Sequence, residues 1–219
     1  MVAIVFDLDG TLVQSSPDIH HALNNMLVKN GYDELSLEVV TSFIGNGVPK
    51  LVERAMIASD ITLTDVSHAQ LVKQFSDFYA VNPVGKSYLF DGVLQALEKL
   101  AAAGHKLAIC TNKPFDMTVK VLDGLNISDL FDAVIGGDSL PVNKPDPAML
   151  FKVLEMLEVK DCIYIGDSEI DASTAENAGQ PFFIYTEGYS KIPFCEMVTE
   201  AKFSHFDDLC GLIEKHITV

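Results

Sequence analysis

Short runs of apolar and β-branched residues recur along this chain, and from residue 90 onward they are separated by segments with helical periodicity. The runs cover residues 2–6, 107–110, 133–135, 162–165 and 182–185. The helical segments carry apolar stripes at Val93, Leu94, Leu97 and Leu100 and at Met149, Leu150, Val153, Leu154 and Leu157. Because short strands that alternate with amphipathic helices form a parallel sheet covered by helices, the pattern predicts a Rossmann-like α/β core.

Residues 15–84 show helical patterns and no convincing strand. Ser16 is suited to cap a first helix that starts at Pro17, and the pair Asn30 and Gly31 is typical of its end. Four helices between the first two strands exceed what a simple crossover requires. We therefore predict an all-helical cap domain, residues 15–84, inserted into an α/β core domain formed by residues 1–14 and 85–219. We expect the cap to control access to the sheet.

The composition indicates a folded protein that is a poor partner for polyanions. Hydrophobic residues make up 48% of the 219 residues, unlike the composition of disordered chains. Fifteen lysines and arginines against 31 acidic side chains give a net charge of -16, which opposes binding to nucleic acid or to anionic membranes. The four cysteines form no C-x-x-C pair, and no signal or membrane segment is evident, so we expect a cytoplasmic protein. The sequence leaves the oligomeric state open.

Two acids follow the first predicted strand, at the sheet edge where parallel α/β proteins bind their ligands. Asp7 and Asp9 occupy positions i and i+2 of an extended segment, so their side chains lie on the same side. At roughly 5 Å and an effective dielectric of about 20, their repulsion is about 3 kcal/mol, which calls for a counter-charge or a raised pKa. A Mg²⁺ ion would serve as the counter-charge. The alternative interpretation is a turn with an Asp cap.

The next two strand ends add groups that suit a phosphate. Thr111 and Asn112 offer a hydroxyl and an amide for phosphoryl oxygens, although both residue types are also common helix caps. Lys144 lies in the loop after the third strand, where its ammonium would neutralise a phosphoryl group. The alternative for Lys144 is a solvated loop lysine.

Two further acids follow the fourth strand. Asp167 stands at the strand tip and Asp171 lies one helical turn later, so the two could hold a cation. A capping box between Ser168 and Asp171 would explain Asp171 without catalysis, but it does not explain Asp167. Acids, a hydroxyl, a lysine and further acids thus emerge in order at successive strand ends, a combination that structural roles alone would rarely produce.

In these motifs the chain resembles the haloacid dehalogenase superfamily. Its four motifs are matched by residues 7–11, by Thr111 and Asn112, by Lys144 and by residues 166–171. The match extends to residues 45–47, 111–114, 136–138, 144–147 and 188–189, through which the chain is similar to phosphoglycolate phosphatases over most of its length. One departure is Gln14, where that subgroup usually carries Asp.

The resemblance implies a Mg²⁺-dependent phosphatase that hydrolyses 2-phosphoglycolate, or another small phosphate ester, through an aspartyl-phosphate. Asp7 is then the nucleophile, and Asp9 protonates the leaving oxygen and activates the hydrolytic water. Asp7, the backbone carbonyl of Asp9 and Asp167 would hold Mg²⁺, with Asp171 as a further candidate.

The same resemblance implies that Thr111, Asn112 and Lys144 stabilise the charge of the phosphoryl group. A substrate carboxylate would need its own partner, for which we consider Lys50 and Arg54 in the predicted cap as substrate-binding candidates. The alternative for both residues is a solvated helix face.

Other activities are compatible with parts of this pattern. A sugar-phosphate mutase of the same superfamily would share every catalytic residue but would shield the aspartyl-phosphate from water. A dehalogenase attacks carbon and has no use for Asp9. A phospho-acceptor switch, which is not an enzyme, has no use for a helical cap. We therefore expect a phosphatase.

Overall fold

Six parallel strands form the central sheet of the computed structural model, which describes residues 2–61 and 65–218, with only the backbone of residues 65 and 66. The strands in chain order are β1 (Ala3–Phe6), β2 (Val13–Gln14), β3 (Tyr88–Leu89), β4 (Lys106–Cys110), β5 (Ala133–Ile135), β6 (Cys162–Gly166), β7 (Phe182–Tyr185) and β8 (Ala201–Phe203). The sheet has the order β5-β4-β1-β6-β7-β8, and each neighbouring pair is parallel. Strands β2 and β3 form a separate antiparallel pair. The predicted parallel α/β fold is confirmed, and β8 extends it by one strand that the sequence pattern did not predict.

The helices follow the predicted distribution. In chain order they are α1 (Ser16–Lys29), α2 (Leu37–Thr41), α3 (Val48–Ala58), α4 (Asp65–Val81), α5 (Val93–Ala102), α6 (Phe115–Gly124), α7 (Ala148–Met156), α8 (Glu169–Ala178) and α9 (Leu209–Thr218). Short 3-10 turns occur at Ser128–Leu130, Phe194–Glu196 and Phe206–Asp208. Among the described residues, no helix combines the length and the apolar character needed to cross a membrane.

Both faces of the sheet are buried, which explains why its strands are apolar without alternation. On β1, Ile4 and Phe6 belong to one apolar cluster, whereas Ala3 and Val5 belong to another on the opposite face. The second cluster includes the buried stripe of α7, as predicted. The buried stripe of α5 differs from its prediction at one position, because Leu94 is exposed and Ala96 is buried instead.

Helices α1 to α4 lie between β2 and β3 and pack on one another, and we call residues 16–81 the helical segment. The apolar cluster that contains Phe6 continues into this segment, for example to Leu23 and Val52. The division into cap and core domains stays a prediction, and its ranges include residues 1, 62–64 and 219, which lie outside the described residues.

The predicted start of α1 is wrong by one residue, whereas its predicted end is confirmed. Helix α1 begins at Ser16 rather than Pro17, so the prediction of Ser16 as the N-cap is wrong by one residue. The Ser16 hydroxyl instead donates a hydrogen bond to Oε1 of Gln14 at 3.1 Å. At the other end, Asn30 is the C-cap and Gly31 has φ of +81°, as its sequence signal predicts.

Asp18, in the first turn of α1, fastens the helical segment to the returning chain. Its buried carboxylate accepts hydrogen bonds from the backbone N–H of Lys86 at 2.9 Å and of Ser87 at 2.7 Å. It also accepts one from the Ser87 hydroxyl at 2.6 Å. These contacts hold the entry and the exit of the helical segment together.

We expect Asp18→Ala to lower the free energy of unfolding by about 2–4 kcal/mol, because it leaves buried donors without an acceptor. Urea denaturation monitored by circular dichroism measures this loss. Asp116, an exposed acid in the first turn of α6, provides the matched control. Asp116→Ala removes only a helix-end charge and should cost less than about 1 kcal/mol. Equal losses in the two variants would contradict the fastening role.

Candidate active site

The strand order opens a crevice at the carboxyl end of β1. Strand β1 lies between β4 and β6. After β1 the chain forms β4 and β5 on one side of it, and later forms β6, β7 and β8 on the other side. The Asp7 N–H donates to the carbonyl of Ile165 at 2.9 Å, and the Thr111 N–H donates to the carbonyl of Ile135 at 3.1 Å. The sheet hydrogen bonding therefore continues up to the predicted site residues and sets their positions.

Lys144 occupies the centre of the site. Its Nζ lies 2.9 Å from Oδ1 of Asp7 and 2.7 Å from Oδ1 of Asp171, and its side chain is 1% exposed. The ammonium also donates to the Tyr164 hydroxyl at 3.0 Å. Burial alone would lower the pKa of Lys144, but the carboxylates of Asp171 and Asp7 outweigh it and raise that pKa. Lys144 is therefore charged and is not the solvated loop lysine of the alternative interpretation.

The two carboxyl partners of this lysine form a cluster with a third, Asp167. Asp7, Asp167 and Asp171 each offer an oxygen within 4.8 Å of the others, and all three are buried. Burial raises the pKa of Asp7 to about 6, with Lys144 opposing the shift and Asp171 and Asp9 adding to it. Burial, followed by the charges of Asp171 and Asp7, also raises the pKa of Asp167 well above its ordinary value. Ionisation of these carboxyl groups is therefore unfavourable in the absence of a cation.

Asp167 is held by two donors from separate loops. The Thr11 hydroxyl donates to its Oδ1 at 2.7 Å, and the Tyr189 N–H donates to its Oδ2 at 2.6 Å. Gly10 permits this approach, because it has φ of +90° and a Cβ there would lie 2.5 Å from Oδ2 of Asp167. The glycine of the first motif therefore makes room for the acid of the fourth.

Gln14, the departure from the subgroup pattern, contributes to the same network. The Tyr189 hydroxyl bonds to Oε1 of Gln14. That hydroxyl also accepts from the backbone N–H groups of Ser15 at 3.0 Å and Ser16 at 3.1 Å. Tyr189 therefore joins the start of α1 to Asp167, and the carboxamide of Gln14 serves as an acceptor in this link.

Asp171 fulfils both interpretations of its sequence pattern. It forms the capping box of α8 with Ser168, whose hydroxyl and N–H donate to Oδ2 at 2.6 and 3.2 Å. Its Oδ1 accepts from Lys144 and from the Tyr164 hydroxyl at 3.0 Å. Both oxygens of Asp171 are therefore engaged by side chains and backbone of the protein.

Asp9 is paired with Lys113, which lies in a matched motif but was not predicted as a site residue. The Nζ of Lys113 lies 3.0 Å from one Asp9 oxygen and 3.1 Å from the other. The same Nζ lies 4.5 Å from the centre of the Tyr79 ring, which belongs to α4. Burial alone would lower the pKa of Lys113, but Asp9 outweighs it and raises that pKa. The signal available in the sequence was its position directly after Thr111 and Asn112.

Asn112 uses its side chain to hold other parts of the site. Its Nδ2 donates to the carbonyls of Gly45 at 2.9 Å and Lys144 at 3.1 Å, and its Oδ1 accepts from the Lys144 N–H at 2.9 Å. The amide predicted to contact a phosphoryl group is therefore committed to positioning the Lys144 loop and the loop before α3.

A small cavity joins the reactive groups to the helical segment. Its volume is about 50 Å³. The core contributes Asp7, Asp9, Thr111, Asn112 and Lys113 to its wall. The helical segment contributes mainly apolar side chains, among them Ile19, Val48, Leu51, Phe75 and Tyr79. Two carboxyl groups, a hydroxyl and an ammonium thus line one small cavity whose remaining wall, from the helical segment, is mainly apolar.

The two cations predicted to bind substrate do not reach this cavity. Lys50 pairs with Glu53 at 2.8 Å on an exposed face of α3. The Arg54 guanidinium donates to the carbonyl of Phe43 at 2.8 Å, within the helical segment. Neither side chain lines the cavity in this structure, because the apolar positions of α3 face inward and these two do not.

Lys191, which the sequence analysis did not select, adds a second link between the sheet edge and the helical segment. Its Nζ donates to the carbonyl of Ile44 at 2.7 Å, next to the Gly45 carbonyl that Asn112 holds. Burial lowers the pKa of Lys191, and the nearby Arg54 adds to this effect. The loop before α3 is therefore held at two successive carbonyls.

Comparison with known proteins agrees with this arrangement. A phosphoglycolate phosphatase of Cereibacter sphaeroides is 43% identical over 213 residues, covering 97% of this chain and 98% of the relative. One of Rhodobacter capsulatus is 42% identical over 97% of this chain and 96% of its own length. A crystal structure of a predicted phosphoglycolate phosphatase from Haemophilus somnus 129pt superposes with a TM-score of 0.92 at 32% identity, covering 97% and 98% of the two chains. Residues 4–185 match the family of haloacid dehalogenase-like hydrolases, and the chain therefore belongs to that family.

Proposed function

We propose that this chain is a Mg²⁺-dependent phosphatase that hydrolyses 2-phosphoglycolate to glycolate and phosphate. The observation that carries the proposal is that Asp7 and Asp9 line one small cavity together with Thr111 and Lys113. A nucleophile, an acid and two donors are what a phosphate ester requires of such a cavity. The substrate is taken from the relatives, which bear the name phosphoglycolate phosphatase.

The reaction proceeds in two displacements. A carboxylate oxygen of Asp7 attacks phosphorus, and the bond from phosphorus to the glycolate oxygen breaks as Asp9 gives that oxygen a proton. Asp9 then takes a proton from a water molecule whose oxygen attacks the aspartyl-phosphate. The bond between phosphorus and Asp7 breaks, phosphate leaves, and the carboxylate of Asp7 is restored. Asp9 serves once as an acid and once as a base.

The surrounding residues hold charge and geometry. Lys144 keeps Asp7 in place from 2.9 Å and offsets part of the phosphoryl charge. Thr111 lines the cavity, and its hydroxyl accepts the Lys113 N–H at 3.3 Å, which leaves its own proton available for a phosphoryl oxygen. Asn112 acts on the substrate indirectly, by holding the backbone of Lys144.

The acid cluster fits a hard divalent cation. Although Lys144 lies 2.9 Å away, Oδ1 of Asp7 is buried with no hydrogen bond of acceptable geometry from the described residues. Each oxygen of Asp167 accepts one hydrogen bond, whereas each oxygen of Asp171 accepts two, which favours Asp167 as the second carboxylate ligand and an outer role for Asp171. A set of oxygen ligands suits Mg²⁺, which when bound would reduce the repulsion between Asp7 and a phosphoryl group.

We expect Asp7→Asn to lower kcat/KM for phosphate-ester hydrolysis by a factor on the order of 10³ or more, because the amide cannot attack phosphorus. A phosphate-release assay with saturating Mg²⁺ measures the loss. Asp161→Asn is the control, since this exposed acid precedes β6 at the opposite edge of the sheet. Wild-type activity in the Asp7 variant would overturn the mechanism.

We expect metal-free protein to become less stable as the pH rises from about 4 to above 6, from the ordinary pKa of an aspartate through the raised pKa of Asp7. Burial raises the pKa values of Asp7, to about 6, and of Asp167, so stability present when they are protonated is lost as they ionise. Asp167→Asn should raise the melting temperature in EDTA at pH 8 by about 2–4 °C for each kcal/mol gained. Asp167→Asn should also abolish the increase in melting temperature that Mg²⁺ gives the wild type. Thermal melts with EDTA and with Mg²⁺ test both points, and an equal Mg²⁺ effect on both proteins would exclude this site.

We expect 2-phosphoglycolate to give the highest kcat/KM in a panel that includes sugar phosphates and nucleoside monophosphates. The cavity of about 50 Å³ favours a leaving group of a few atoms. Phosphate release from each ester at equal Mg²⁺ concentration provides the ranking. If a sugar phosphate or a nucleotide ranks above 2-phosphoglycolate, the substrate assignment is wrong while the phosphatase mechanism stands.

A further inference from the structure

We propose that Lys113 and Tyr79 form a subsite that binds a carboxylate on the leaving group of the substrate. This inference rests on the proposed phosphatase activity and deepens it, since it names the chemical class that the cavity selects. The ligand class is a small phosphate ester whose alcohol carries an acidic group. The subsite joins a residue that follows β4 to a residue of the helical segment.

Lys113 supplies the positive charge in the right place. It lines the same cavity as Asp7 and Asp9, and its side chain is only 4% exposed. Lys144 is committed to Asp7 and Asp171, and the other cations considered for this role, Lys50 and Arg54, do not line the cavity. A negative leaving group that enters the cavity therefore meets the ammonium of Lys113.

Tyr79 supplies an independent indication of a ligand. The residue is 2% exposed and lines the cavity, and its hydroxyl makes no hydrogen bond of acceptable geometry with the described residues, although Lys113 lies close to it. A buried hydroxyl without a partner costs free energy that a bound acceptor would recover. Because the Lys113 Nζ lies 4.5 Å from the Tyr79 ring, the ammonium and this tyrosine can face the same ligand.

The rest of the cavity wall is mainly apolar, so Lys113 and Tyr79 decide which leaving groups the cavity accepts. Apolar side chains of Ile19, Val48, Leu51 and Phe75 leave little room for other polar contacts. An unpaired carboxylate in such surroundings is strongly disfavoured, whereas one that meets an ammonium and a hydroxyl is accommodated. The subsite therefore selects leaving groups that are both small and acidic.

The current partner of Lys113 adds a mechanistic consequence. In the structure the ammonium donates to both oxygens of Asp9, at 3.0 and 3.1 Å. A bound carboxylate takes one of its three donors and loosens this bidentate contact. Asp9 then turns more easily toward the leaving oxygen that it protonates, so substrate recognition and acid catalysis act through the same lysine.

The test compares two esters of the same shape, 2-phosphoglycolate and its neutral amide, phosphoglycolamide. We expect Lys113→Met to lower the ratio of their kcat/KM values by about 10- to 100-fold, the range for a hydrogen bond to a charged group. Tyr79→Phe should lower it by about 3- to 10-fold. If a variant also disturbs Asp9, the resulting loss of kcat/KM affects both esters equally and cancels from the ratio.

Two controls match these changes. Lys120→Met alters the net charge equally at an exposed position of α6, and Tyr88→Phe removes an exposed hydroxyl. Neither should move the ratio. If Lys113→Met fails to fold, as judged by circular dichroism, the Tyr79→Phe ratio decides the matter, because that variant leaves the ion pair with Asp9 intact.

The outcomes separate this inference from the proposed function. A wild type that prefers 2-phosphoglycolate, with a ratio that neither variant moves, overturns the subsite and leaves the function standing. The wild type could instead prefer another ester with an acidic leaving group. If the ratio of kcat/KM for that ester to kcat/KM for its neutral amide then falls in both variants, the subsite is supported and the substrate assignment is wrong. A preference for a neutral leaving group overturns both.

Discussion

The buried ammonium of Lys144 is the group on which the arrangement of the site depends. It pairs with Asp7, which follows β1, and with Asp171, in the first turn of the helix after β6. Its backbone is held by Asn112, which follows β4. Lys144 is the one cation paired with Asp7 and Asp171 among the described side chains. Without it, these two buried carboxylates would carry an uncompensated desolvation cost. One lysine therefore joins separate strand ends into a single site.

The second constraint is that the helical segment contacts the site at several independent points. Tyr189 connects the start of α1 with Asp167. Asn112 and Lys191 bind successive carbonyls of the loop before α3. These contacts come from side chains at the sheet edge to backbone of the helical segment, so the segment is held close over the reactive groups. This explains how a site that accumulates acids can still lie beneath mainly apolar side chains of the helical segment.

Most of the sheet was predictable from the sequence because both of its faces are buried. Strand β1 is apolar at every position, and so are the predicted parts of β4 to β7, which makes them short continuous runs that stand out from the helical stripes. The edge strand β8, Ala201–Phe203, includes an exposed lysine at its centre and lacked that signal. Leu94 was assigned to the core since it extends an apolar run, yet the α5 stripe is narrower and turns it to the surface.

By itself, the sequence determined that Asp7, Asp9, Thr111, Lys144 and Asp167 would meet, since strand ends of a parallel sheet share one edge. It could not determine which partners those residues have. The pairing of Asp9 with Lys113 spans 104 positions, and only the packing of α4 brings Tyr79 to that pair. The sequence also offered Lys50 and Arg54 as cations, but the apolar face of α3 turns inward and leaves both outside the cavity. Local patterns specify elements and their chemistry, whereas the direction in which a side chain faces depends on tertiary packing, because burial of the apolar face decides the rotation of each helix.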